Sequence, residues 1–253
     1  MGELVVIEGL DGAGKNTLAT ALTGQLHAVG ATVHAVAFPR YGVDVHADLI
    51  RDGLHGRLGD LTASVYGFQL LYALDRRAAA AELRAALGQY DVVLVDRYVA
   101  SNAAYGAARL HERADGDFVA WVRSIEVERF GVPAPDAQIL LRVPATVAGE
   151  RSRGRAQADA DRGRDQWESD AELQDRVAQV YDELAAAAWL SPWQVVDGSH
   201  EVDVAKLTTG LGFGGSTAND TRSGPMDTVR GRNAGDTAGS SGAEHTESAN
   251  IRS

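Results

Sequence analysis

The chain has no cysteine among its 253 residues. Disulfide frameworks, thiolate nucleophiles and cysteine-ligated zinc are therefore excluded together. Lysine is nearly as scarce: only Lys15 and Lys206 occur, and every other basic side chain of fixed charge is arginine. Positive charge is short overall, with 24 Lys and Arg against 35 Asp and Glu and a formal net charge of -11. Such a balance gives no general affinity for nucleic-acid backbone or anionic membrane, so neither is expected as a partner and any anion has to be captured locally. Long hydrophobic runs are missing too. The opening MGELVVIEGLDG has a short apolar run without a basic leader or a small-residue cleavage site. It reads as a buried strand, and the chain as cytoplasmic.

What is present suits one α/β domain with some chain left over: 45% of residues are hydrophobic and 23% charged. Leu4 to Glu8 and Tyr90 to Asp96 are continuous apolar runs ending in an acid, the pattern of strands buried on both faces of a parallel sheet. Similar runs occur at Thr32 to Phe38, Asp136 to Val143 and Gln194 to Asp197. Between them, Leu61 to Leu87 and Asp170 to Ala188 carry helical spacing. Alternating strands and helices predict a doubly wound α/β fold over residues 1–211. From 212 to 253 the composition turns to Gly, Ser, Thr, Asn and Asp, which predicts a disordered tail without a part in the chemistry.

Directly after the first strand stand Gly9-Leu-Asp11-Gly12-Ala13-Gly14-Lys15-Asn16-Thr17, followed by a helical stretch to Ala28. Strand, glycine loop and helix in this order make a phosphate-binding loop. The glycines let backbone N–H groups converge on phosphate oxygens at a helix N-terminus, and Lys15 adds a point charge. One position departs from the usual pattern. Asn16 stands where a Ser or Thr hydroxyl normally meets magnesium, so the metal needs other oxygen ligands. Asp11 is the candidate inside the loop, with Asp96 as an alternative acting through water.

Three further clusters point to a second ligand. Phe38-Pro39-Arg40-Tyr41 follows the second strand, where doubly wound sheets place ligand contacts. Asp96-Arg97-Tyr98 through Ser101, Asn102 and Tyr105 follows the third, and Arg97 can hold a phosphate bidentately. Five arginines, Arg151, Arg153, Arg155, Arg162 and Arg164, crowd a Gly- and Ala-rich stretch in an otherwise acidic protein. We read residues 151–166 as an arginine-rich lid over a polyphosphate. Arg40, Arg76 and Arg97 together favour an anionic acceptor, although the loop alone would equally suit a slow nucleotide-hydrolysing switch.

The segments GLDGAGK at 9–15, FPRY at 38–41, LDR at 74–76, DRYVASNAAY at 96–105 and the arginine-rich stretch together resemble bacterial thymidylate kinase, over roughly residues 3–210. The resemblance implies a P-loop nucleoside monophosphate kinase: a five-stranded parallel sheet flanked by helices, acting as a homodimer that moves the γ-phosphoryl group of MgATP to dTMP. It implies that Asp11, Arg97 and Tyr41 surround the acceptor phosphate. Phe38 and Tyr72 flank the thymine, Arg76 and Asn102 hydrogen-bond its edge, and Tyr105 crowds the deoxyribose where a 2′-hydroxyl would sit. We expect Gly9 to Thr17 and Arg151 to serve ATP, Asp11 and Glu168 to serve Mg2+, and, because the loop itself holds no arginine, Arg155 and Arg162 to join Lys15, Arg97 and Asp11 in catalysis.

Overall fold

The computed structural model describes residues 1–158 and 171–213, for 153–158 the backbone alone. Five parallel strands form one sheet in the order β2-β3-β1-β4-β5: β1 is Glu3–Glu8, β2 Val33–Ala37, β3 Val92–Asp96, β4 Ala137–Arg142 and β5 Trp193–Asp197. Leu4 to Ile7 of β1 and Val92 to Val95 of β3 are buried, as strands covered by helices on both faces must be. Each such side chain contributes roughly 1.5–3 kcal/mol by leaving water. β2 is an edge strand and only partly covered, so a run interrupted by His34 suffices.

Among the described residues seven α-helices lie between the strands and an eighth follows β5: α1 (Lys15–Ala28), α2 (Val45–Leu54), α3 (Val65–Leu87), α4 (Val99–Arg109), α5 (Asp117–Val122), α6 (Ala145–Ala158), α7 (Ala171–Ala186) and α8 (Val204–Gly210). A π-helical stretch, Arg123–Arg129, continues α5. The helical pattern expected from Leu61 begins instead at Val65, because the Ser64 side chain accepts from Gly67 N–H and caps α3 there. The residues before it form a separate 3-10 turn, Gly59–Thr62. The stretch expected as a lid from 151 is helical up to Ala158, as the continuation of α6. Arg162 and Glu168 lie outside the described residues, as does the expected tail beyond 213.

The chain leaves β1 at the centre and reaches β3 on one side and β4 on the other, so a crevice opens at the carboxyl end of β1. The loops bearing Asp11, Phe38 and Arg97 all leave their strands at that end.

Candidate active site

The loop between β1 and α1 is shaped by contacts that admit no side chain. Gly12 has φ 85°, and a Cβ there would come within 2.0 Å of Ala148 O on α6; a Cβ on Gly9, φ 144°, would come within 2.6 Å of Leu141 O. The loop is thus pressed between the end of β4 and the start of α6. Lys15 folds back over it, donating from Nζ to Leu10 O at 2.8 Å and Gly9 O at 3.1 Å. Burial pulls its ammonium down to about 8, Arg97 adds to the fall, and Asp11, Asp96 and Glu8 oppose it.

Arg97 follows β3 in the left-handed region at φ 65°, uncommon for a residue with a side chain. Its guanidinium pairs with Asp11 Oδ1, and Tyr105 donates to Asp11 Oδ2 at 2.7 Å. Burial alone would raise the Asp11 carboxyl, but Arg97, Lys15 and the Tyr105 hydrogen bond together hold it below the usual range. Arg97 also lies over the Tyr105 ring, 5.5 Å from its centroid. The three side chains form one clamp spanning the β1 loop, the β3 loop and α4.

Two recesses share the phosphate loop as a wall. The first, about 430 Å³, contains Asp11, Phe38, Tyr41, Tyr72, Arg76, Arg97, Asn102 and Tyr105 in its lining. All eight residues expected on the acceptor side therefore meet in one place. The second, about 470 Å³, lies against Ala13, Gly14, Thr17 and Arg151 and is closed by Gly198 and His200 after β5. Arg151 donates to Ala13 O at 3.3 Å and to Gly198 O at 3.1 Å, which ties α6 to the loop and to β5. Asn16 and Thr17 are exposed in the first turn of α1.

A family model for thymidylate kinase matches residues 7–207. The chain belongs to the thymidylate kinase family. It is 54% identical over 208 residues to a thymidylate kinase of Mycobacterium tuberculosis, covering 82% of this chain and 96% of that one. It is 35% identical over 205 residues to one from Leifsonia xyli, at 80% and 90% coverage. To a human thymidylate kinase it is 26% identical over 202 residues, at 80% and 85% coverage.

Within this thymidylate kinase fold two arginines carry less free charge than their sequence positions suggest. Arg76 donates from Nε and Nη2 to Glu126 at 2.5 and 2.8 Å, both partners buried, so it reaches the cavity as half of an ion pair. Arg40 is not part of the cavity lining, and its guanidinium lies over the Phe38 ring at 5.7 Å. It holds Asp75 through Nε at 2.8 Å and its own N–H at 2.9 Å, and reaches Asp44 at 3.3 Å, bracing the loop after β2 on α3. Of the three arginines taken to favour an anionic acceptor, Arg97 is also paired, but with Asp11, a partly exposed acid that lines the same cavity.

Several participants carry no motif. Glu8, fully buried, accepts from Tyr98 N–H at 2.9 Å, Ser101 N–H at 3.1 Å, Ser101 Oγ at 2.6 Å and Tyr181 OH at 2.9 Å. Asn102 donates to Glu126 Oε1 at 2.6 Å and to the Gln69 carbonyl at 3.2 Å. Gln69 is itself buried and lines the first cavity. Its signal was available: a lone amide three residues before Tyr72 and seven before Arg76 shares their face of α3. Glu126 has no such signal, being one acid among several in a charged helix.

For a magnesium ion, no group of three or more His, Asp or Glu stands together among the described residues. Asp11 has both oxygens engaged, whereas buried Asp96 Oδ1 has no hydrogen-bond partner. This donor set fits an ion held chiefly by phosphate oxygens and water, with carboxylates of the β1 and β3 loops beside it. Among the described residues no helix is long and apolar enough to cross a membrane.

Proposed function

We propose that this protein transfers the γ-phosphoryl group of MgATP to dTMP, giving dTDP and ADP for dTTP synthesis. The observation that carries the reading is the phosphate loop standing as the common wall of two recesses, with the Asp11–Arg97–Tyr105 clamp in one and Arg151 at the other. ATP would lie in the Arg151 recess with its phosphates on the Gly9–Thr17 loop. dTMP would lie in the clamp recess, its phosphate drawn to Arg97 and Tyr41, its base between Phe38 and Tyr72 against Arg76 and Asn102. Tyr105, fixed by Asp11 and Arg97, is a wall that leaves no easy room for a 2′-hydroxyl.

A phosphate oxygen is already a competent nucleophile, so no covalent enzyme intermediate is required. Positioning, charge neutralisation and exclusion of water carry the rate. Lys15 would draw the donor phosphates onto the loop, and Arg97 would align the acceptor. Magnesium, accompanying ATP, would neutralise phosphate charge beside Asp96 and Asp11, with Glu168 as the further candidate ligand. The lid arginines Arg155 and Arg162 would stabilise the transferring group, because Gly12, Ala13 and Asn16 place no arginine in the loop itself. We place the enzyme in the cytoplasm as a homodimer, in keeping with exposed Leu61 in the 3-10 turn and exposed Tyr66 at the start of α3. The 212–253 segment would be dispensable for the chemistry.

The test is ADP release with MgATP and dTMP, dUMP, dCMP, dGMP, thymidine or no acceptor. Turnover confined to dTMP, with dUMP trailing, is expected. Turnover on thymidine would contradict the phosphate clamp, and acceptor-independent turnover would contradict a kinase.

A further inference from the structure

A buried amide without a partner costs free energy in the folded state, so two of them in one cavity call for an explanation. Gln69 Nε2 on α3 and Asn102 Oδ1 on α4 are both buried and have no hydrogen-bond partner among the described residues. They belong to adjoining residues, since Asn102 Nδ2 donates to the backbone carbonyl of Gln69 at 3.2 Å. Both residues line the same 430 Å³ recess. One unpartnered atom is a donor and the other an acceptor.

The fixed bonds around them settle which way the polarity runs. Asn102 Nδ2 is held by Glu126 Oε1 at 2.6 Å as well as by the Gln69 carbonyl, so its amide cannot turn over without setting an oxygen against two acceptors. The acceptor Oδ1 is therefore locked in place. Glu126 is in turn locked by its two bonds from Arg76, so the chain Arg76–Glu126–Asn102 is rigid from end to end. Gln69, whose Nε2 is the unpartnered donor, lines the same recess as this fixed acceptor.

From this juxtaposition we infer that Gln69 is a base-reading residue: its Nε2 donates to a carbonyl next to the N3–H of the pyrimidine, while Asn102 Oδ1 accepts that N3–H. The inference rests on the proposal that this recess takes dTMP, and it adds a contact to it. A donor beside an acceptor complements the imide edge of thymine. Cytosine has a bare N3 lone pair, which would face Asn102 Oδ1 as a second acceptor, so the same pair rejects it. Gln69 stands on the Tyr72 and Arg76 face of α3, and a base lying against Tyr72 presents its edge to these residues.

The experiment combines variants with modified substrates. Wild type, Gln69→Leu and Gln69→Glu are assayed with dTMP and with its 2-thio and 4-thio analogues, whose thiocarbonyls are weak acceptors. In wild type, one analogue should show a raised KM. In Gln69→Leu, KM for dTMP should rise about tenfold, KM for ATP should stay within about twofold, and that analogue's penalty should vanish because the donor it misses is gone. Gln69→Glu, which puts carboxylate oxygen against the carbonyl, should be the poorer of the two. Melting of the ligand-free protein gives an independent readout: removing an unpaired buried amide should leave Tm of Gln69→Leu unchanged or higher. If the wild type turns over dTMP but both thio penalties persist unchanged in both variants, Gln69 does not touch the base and the inference is overturned. Wild type inactive on dTMP would instead overturn the substrate reading, and this inference with it.

Discussion

Lys15 is held by two backbone carbonyls of its own loop and surrounded by one guanidinium and three carboxylates. Burial outweighs those acids and brings its ammonium to about 8, so the charge that would meet ATP begins to fail just above neutral pH. With Lys15 meeting ATP as proposed, kcat/KM for ATP should fall as pH rises through about 8. Bound polyphosphate favours the charged form, so kcat should hold to higher pH. A kcat/KM profile flat to about pH 10 would contradict the placement. Stability carries the opposite sign. Between about 8 and the ordinary lysine value of 10.5, the unfolded chain keeps a proton that folded Lys15 has shed, so the native state gains relative stability as pH rises over that window. Wild type should gain on Lys15→Met across it in urea unfolding.

Glu8 ends β1, Ser101 and Tyr98 begin α4, and Tyr181 comes from α7; one buried carboxylate gathers hydrogen bonds from both helices. Burial raises the Glu8 carboxyl despite the bonds from Ser101, Tyr181 and Tyr98 and the nearby Arg97. The same burial drives the Tyr181 hydroxyl well above its ordinary range, so it stays protonated and donates. Tyr181→Phe should cost about 1–2 kcal/mol by removing one donor, whereas Glu8→Gln should cost about 3 kcal/mol because its amide NH2 confronts donors. Urea unfolding measures both, and equal losses would contradict the network. Such elements were only half legible beforehand. The acid ending β1, the helical stripe containing Tyr181 and the motif around Ser101 each show in the sequence, but their meeting depends on how α7 packs on α4. Likewise the motif residues of the first recess are readable one by one. The Arg76–Glu126 pair is not, because its partners lie 50 positions apart and nothing local marks the acid. Arg40 looked like a ligand residue for the same reason: its partner Asp75 belongs to another element.

Across the whole molecule the net charge of -11 opposes any polyphosphate, and the remedy has to be local. Lys15 and Arg97 supply part of it within the fold, yet Arg97 is shared with Asp11 and Lys15 is only partly charged above neutral pH. We propose that the arginine-rich stretch adds what they lack. It starts on α6, whose Ala148 carbonyl leaves no room for a Cβ on Gly12 and whose Arg151 holds Ala13 O, so the chain enters the stretch alongside the phosphate loop. From that placement of α6 we expect an arginine of the stretch to supply charge at the transferring phosphoryl group, acting in the transition state more than on either ground state. Arg155→Ala and Arg162→Ala are therefore expected to separate: the variant lacking the responsible guanidinium should lose on the order of a thousandfold in kcat, with KM for dTMP little changed. Arg151→Ala should act mainly on KM for ATP, since its bonds brace the donor recess. Near-wild-type kcat in both Arg155→Ala and Arg162→Ala would remove the lid from the chemistry and leave charge neutralisation to Lys15, Arg97 and the metal alone.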